Sequence, residues 1–247
     1  MVVRPAMRIL LINPNTTESI TARLAATAAA TAPQVDFVTA GARFGGRYIS
    51  SRAGYAIAGH AVLDAWAAAE GPFDATVIAC FGDPGLDALR ELSDRPVIGM
   101  ADASLHAALQ VGRRISIVTG GERWESMLRD FVAFQGMAAR VASIRTVRPT
   151  GAQIALSPET AVPLLVQACE QCVADGAEAI VIGGAGLVGL KALIGAHITV
   201  PLIDGFEAAV AMAIAMATVM PTTHLTGSSD TAPESTALSL PLAKALR

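Results

Sequence analysis

The chain repeats itself. Arg8-Ile-Leu-Leu-Ile-Asn13 resembles Arg114-Ile-Ser-Ile-Val-Thr119, Val77 to Leu86 resembles Val181 to Leu190, and Arg95-Pro-Val-Ile-Gly99 resembles Val200-Pro-Leu-Ile-Asp204. The matches keep one order at an offset of about 105 residues, which marks an internal duplication. Within each copy, short Ile/Val-rich runs (9–12, 35–39, 75–79, 97–99; then 115–119, 141–146, 179–182, 200–203) alternate with Ala/Leu-rich segments of helical period (17–31, 56–70, 104–111, 123–136, 158–175). That alternation predicts an α/β protein with parallel sheets whose strands are buried on both faces. The expected architecture is two pseudo-symmetric, flavodoxin-like parallel-sheet lobes. Their equivalent loops, at the carboxyl ends of the strands, would face each other across one active-site cleft. Residues 1–102 plus 205–222 are assigned to the first lobe and 103–204 to the second. Residues 223–247, rich in Ser, Thr and Pro, are assigned to a polar tail, either disordered or strapped across a neighbour.

Composition narrows the function classes. Of 247 residues, 53% are hydrophobic and 16% charged, which is the balance of a chain that buries a core. A net charge of -3 without a basic run argues against a nucleic-acid partner. The N-terminal apolar run is too short for a secretory leader, and 208–220 is too short to cross a bilayer, so no membrane partner is expected. Three cysteines in no disulfide-like pattern suit a reducing cytoplasm.

The second copy carries Gly184-x-Gly186-x-x-Gly189, with Asp204 about 20 residues on, which matches a dinucleotide fingerprint. The first copy weakens that reading. Gly82 and Gly85 stand where Gly186 and Gly189 do, so the glycines follow from the duplication. The position of Gly184 is taken in the first copy by Cys80, which opens the turn Cys80-Phe-Gly-Asp-Pro-Gly85 before a helix. Amides at that helix start would favour a thiolate, against the alternative of a buried, inert cysteine. Asn13-Pro-Asn-Thr-Thr17 closes the first strand. Its threonines suit a helix cap, and its two side-chain amides suit a carbonyl or carboxylate. The counterpart Thr119-Gly-Gly-Glu122 offers a hydroxyl and backbone amides. The glycine-rich segment 41–50 reads as either a lid or a solvated hairpin, and Trp124 reads as packing. Cys169 and Cys172 fall within one helix and read as packing, and the four histidines have no ligand spacing, so no metal is expected.

Asn13-Pro-Asn-Thr, Ala79-Cys-Phe-Gly-Asp-Pro-Gly-Leu86 and Gly183-Gly-Ala-Gly186 resemble the aspartate/glutamate/hydantoin racemase superfamily, closest to its hydantoin and allantoin racemases. The resemblance covers roughly residues 7 to 220. It implies a cofactor-independent isomerase that moves a proton at a carbon beside a carbonyl, one cysteine acting on each face. The second cysteine would stand at Gly184, so the resemblance implies a racemase that is impaired or works with one thiol. The alternatives are a single-cysteine decarboxylase or isomerase on the same scaffold, or a silent small-ligand binder. In the related arylmalonate decarboxylases the single cysteine belongs to the other lobe. The candidate catalytic positions are Cys80 and Gly184. The candidate substrate-binding set is Asn13, Asn15, Thr16, Phe81, Gly82, Asp83, Thr119, Gly120, Ala185 and Gly186. A small molecule bearing carbonyl or carboxylate groups is the expected partner, and assembly as a homo-oligomer is expected.

Overall fold

The computed structural model describes residues 7–220 and 236–246. The first half runs β1 (Arg8–Asn13), α1 (Glu18–Thr31), β2 (Asp36–Gly41), α2 (Arg52–Ala68), β3 (Ala75–Ile78), α3 (Leu86–Leu92), β4 (Val97–Gly99) and α4 (Met100–Ala108). The second runs β5 (Ile115–Gly120), α5 (Trp124–Phe134), β6 (Val141–Val147), α6 (Gly151–Leu156), α7 (Pro158–Ala174), β7 (Ala179–Gly183), α8 (Lys191–Gly195), β8 (Leu202–Asp204) and α9 (Gly205–Val219). Each half forms a four-stranded parallel sheet, in the order β2-β1-β3-β4 and β6-β5-β7-β8. The repeat in the sequence is therefore a repeat in topology.

The inner strands β1, β3, β5 and β7 are apolar and almost wholly buried, whereas the edge strands β2 and β6 are only partly buried. An inner strand is covered on both faces, so it carries a continuous apolar run rather than an alternating one. One apolar core joins the halves: Leu11 and Val77 of the first sheet and Ile117 and Val181 of the second share it with Phe206 and Val210 of α9. The last helix of each half crosses over. α4 lies against β7 and α9 against β3 and β4, and the two helices pack on each other. Ala-rich faces (Ala101, Ala108, Ala209, Ala213) let them approach closely.

A buried carboxylate ties each crossing helix to the loop after its half's third strand. In the first half it is Asp83, 2% exposed, whose Oδ1 and Oδ2 accept from the Ala101 and Asp102 amides at 2.9 and 2.7 Å. In the second half it comes from the other side of the gap. Asp204 Oδ1 accepts from the Phe206 and Glu207 amides at 2.9 and 3.2 Å, and Oδ2 from the loop amide of Gly189 at 3.2 Å. In the repeat Asp204 aligns with Gly99 and Asp83 with Leu187. Each half thus has one acid where the other has none. A β-carbon on Gly99 would lie 2.2 Å from Asp83 Oδ2, so the first half has no room for both.

Residues 221–235 and 247 lie outside the described residues. Beyond them α10 (Leu240–Ala245) packs on α2 of the same chain and buries Leu242.

Replacing Asp204 with Ala removes a helix cap and leaves buried amides unpaired, and should cost about 1–3 kcal/mol in urea unfolding. Gly99→Asp should destabilise strongly alone and less in the Asp83→Ala background. Additive losses would show that the two positions do not share one space.

Candidate active site

The strand order reverses between β1 and β3 and between β5 and β7, and a cavity lies between the carboxyl ends of these strands. The first half supplies Asn15, Ile20, Arg47, Tyr48, Ile49, Cys80 and Phe81 to its wall. The second supplies Thr119, Gly120, Trp124, the start of α6, and the loop from Gly184 to Leu187.

Cys80 follows β3 and is 8% exposed. Its loop turns sharply through left-handed residues: Gly82 (φ 117°), Asp83 (φ 56°) and Gly85 (φ 78°). Tyr55 Oη donates to the Gly82 carbonyl at 2.7 Å, and a β-carbon on Gly82 would meet the Trp124 ring at 2.7 Å. The Cys80 loop is thereby clamped from both halves. Burial first, and then the Asp83 charge, push the Cys80 thiol above its ordinary value of 9.0. This push opposes the thiolate that the helix amides would favour. A helix terminus typically contributes about 0.3–1 kcal/mol, less than one pKa unit of about 1.4 kcal/mol, and full burial moves a group by several units. The resting cavity holds a neutral thiol.

Across the cavity, at the equivalent position after β7, stands Gly184 with φ 123° and ψ 135°. A β-carbon there would lie 3.3 Å from Leu187 Cδ1 and 3.4 Å from Thr119 Oγ1, a tight fit that the end of the leucine side chain can relieve. The backbone is the obstacle, because L-residues avoid this conformation. Cys80, by contrast, is not among the left-handed residues. The two loops differ in backbone path as well as in the side chain.

The neighbouring glycines serve packing. A β-carbon on Gly183 would lie 2.4 Å from the Phe81 ring, and one on Gly186 would lie 1.9 Å from the Gly151 carbonyl oxygen. The loop runs into a short 3-10 turn at Ala185–Leu187, and α8 begins only at Lys191. Asp204, which completed the fingerprint, is spent on the cap of α9. The nucleotide reading loses its geometry on each count.

Of the expected site residues, Cys80, Gly184, Asn15, Phe81, Thr119, Gly120, Ala185 and Gly186 line the cavity. Asn13, Thr16, Gly82 and Asp83 stand behind its wall. Asn13 is 1% exposed: its Nδ2 donates to Asn15 Oδ1, Thr17 O and Thr21 Oγ1, and its Oδ1 accepts from the Asn15 amide. It orients Asn15. The Thr16 amide donates to Gly46 O at 3.2 Å and pins the segment that precedes α2. Thr17 begins α1 without a side-chain cap, and its hydroxyl donates instead to Arg47 O at 2.8 Å.

Sequence reasoning gave no site role to Tyr48, Trp124, Ile20, Ile49 or Gly151. Tyr48 belongs to the glycine-rich segment read as a lid or hairpin, and that segment crosses to the second half. Tyr48 Oη donates to Gly120 O at 3.2 Å, Trp124 Nε1 donates to Ile49 O at 3.1 Å, and Arg52 pairs with Asp130. Among the described residues, no group of three His, Cys, Asp or Glu could hold a metal. Cys169 and Cys172 are buried in α7, with the Ser143 hydroxyl 3.6 Å from Cys172 Sγ. The chemistry on offer is one thiol, one free hydroxyl, the Asn15 amide, the Arg47 guanidinium and backbone amides, among apolar walls built from Ile20, Ile49, Phe81, Trp124 and Leu187.

The sequence model of the Asp/Glu/Hydantoin racemase family matches residues 9–213. A hydantoin racemase from Paenarthrobacter aurescens is 38% identical over 207 residues, which cover 82% of this chain and 88% of that protein. The solved allantoin racemase from Klebsiella pneumoniae, 32% identical, superposes with a TM-score of 0.85 over 96% of this chain and 98% of its own. The allantoin racemase from Pseudomonas fluorescens, also 32% identical, gives 0.84 over 88% and 93%.

Two measurements follow from the buried acids. Alkylation of Cys80, followed by peptide mapping, should keep accelerating beyond pH 9; a plateau near neutrality would show a thiolate. Asp83 is pushed up to about 7 by burial, against the pull of its two amides. Its folded pKa lies above the unfolded value of 3.8, so its contribution to stability is complete below that value and is lost as pH rises to about 7. The difference in urea midpoint between wild type and Asp83→Asn should therefore change between about pH 4 and pH 7 and stay level above. An unchanging difference would mean that Asp83 is ionised throughout.

Proposed function

The chain belongs to the Asp/Glu/hydantoin racemase family, and from that premise we propose that it inverts a carbon beside a carbonyl in a hydantoin-type substrate, with Cys80 as its one thiol acid/base. The observation that carries this reading is the placement of Cys80 and Gly184 at equivalent strand ends on one cavity. Racemisation needs a proton removed from one face and returned to the other, and a duplicated fold offers two faces. The thiol must give up its proton before it serves as a base, or act first as the acid. Asn15 and the amides of the 184–186 loop would hold the substrate oxygens and stabilise the enolate. The apolar wall would take the ring substituent. Losing one general acid or base typically costs on the order of 10²–10⁴-fold, so a slow or one-sided enzyme is expected. A cysteine at 184 would carry about 1–3 kcal/mol of backbone strain, so the second thiol is not one simple substitution away.

The neutral resting thiol favours a second reading. A buried thiol is ready to protonate a carbanion, as a single-cysteine decarboxylase or isomerase requires. We place the protein in a reducing cytoplasm on its three free, buried cysteines, and as a homo-oligomer on exposed Phe134 and Leu156.

Single enantiomers of a 5-substituted hydantoin and of allantoin, incubated in D₂O, separate these readings. Exchange with inversion that disappears in Cys80→Ala is the expected result. Exchange with retention from one enantiomer indicates one-base chemistry. No exchange, with carbon dioxide released from an arylmalonate, would replace the racemase reading with the decarboxylase one.

A further inference from the structure

The racemase reading leaves the substrate face opposite Cys80 without a proton carrier. Thr119, one residue before the end of β5, pairs with Gly183 of β7 and is 4% exposed. A β-carbon on Gly184 would lie 3.4 Å from Thr119 Oγ1, so the hydroxyl borders the place where a side chain at 184 would begin. Thr119 lines the cavity, and among the described residues its hydroxyl makes no hydrogen bond. The other polar side chains of the cavity are engaged or unsuited. Tyr48 donates its proton to Gly120 O, and Asn15 Oδ1 accepts from Asn13 and Thr17. Arg47 offers donors and no acceptor, so it cannot take a proton from carbon.

We propose that Thr119 holds a water molecule over Gly184 and that this water carries the proton on the face opposite Cys80. The proposal rests on the racemase reading. A threonine hydroxyl is no stronger an acid than water, so its part is to position, by donating to or accepting from the bound molecule. The Cys80 thiol first gives its proton to solvent. The thiolate takes the α-proton and becomes a thiol again, and the C–H electron pair moves into the enolate. The water then protonates the α-carbon from the other side as the pair returns to carbon. Solvent reprotonates the hydroxide left behind, which restores the resting thiol and water. For the opposite enantiomer the hydroxide on Thr119 is the base and the thiol is the acid. Glycine at 184 is what makes room for that water, in a backbone conformation that side chains avoid.

The test compares wild type, Thr119→Val, which keeps the shape without the hydroxyl, and Thr119→Ser, which keeps the hydroxyl. Each enantiomer is incubated in D₂O, inversion and deuterium wash-in are followed separately, and kcat and KM are measured. Thr119→Val should lower kcat for inversion on the order of 10²-fold at nearly unchanged KM, while Cys80-dependent wash-in with retention persists for one enantiomer. Thr119→Ser should keep most of the inversion. Should the valine variant fold poorly, Thr119→Ala takes its place with the same expectation. Inversion by the valine variant at the wild-type rate overturns this proposal alone. A rise in KM with equal loss of inversion and retention also overturns it and makes Thr119 a binding residue only. A wild type that exchanges neither enantiomer overturns the racemase reading and this proposal with it.

Discussion

In each half of the molecule a buried carboxylate holds the loop after the third strand to the amino end of the helix after the fourth. That helix lies on the other half's sheet, so the contact fixes a site loop to the shared core rather than to its own lobe. Hydrogen bonds from amides to a charged acceptor are worth about 1.5–3 kcal/mol each, and the helix terminus adds to them. Against this stands the cost of burying the acid, which is why Asp83 and Asp204 both have raised pKa values. The two copies meet the constraint from opposite sides of the same gap. Gly99 is small because Asp83 fills its space, and Asp204 is acidic where Gly99 is not.

The cavity inherits its chemistry from that frame. Loops held against a continuous apolar core leave little room for water, so the Cys80 thiol is desolvated and neutral. Tyr48, Trp124 and the Arg52–Asp130 pair bind the segment before α2 across the cleft. Opposite the thiol, Gly184 sits in a conformation that disfavours a side chain, and the nearest free polar group is the Thr119 hydroxyl. The site is lopsided: a buried thiol on one wall, a hydroxyl on the other.

Much of the site was legible because the repeat aligned its loops. Cys80, Gly184, Asn15 and Thr119 all stand within two residues of a strand's carboxyl end, and a strand end at a switch point faces the cleft whatever the detail of the loop. Asn13 could not be told from Asn15 in the sequence. They are two residues apart in one turn, and only its geometry turns one inward to orient the other. Asp83 read as a ligand contact because carboxylates are usually exposed, whereas here it satisfies amides of a helix that begins 17 residues later in the chain. Tyr48 and Trp124 were missed because they reach the cavity by crossing between halves.

The sequence by itself determined the α/β class, the duplication, the paired strand-end loops and the single thiol. These follow from local periodicity and from the comparison of one copy with the other, neither of which needs long-range contacts. Tertiary structure alone decided the ionisation of Cys80, the left-handed backbone at Gly184, the crossing of α4 and α9, and the hydroxyl left free beside the glycine. Each of those depends on how far water is excluded and on which distant backbone approaches within a few ångströms, and such quantities exist only once the two copies have closed on each other.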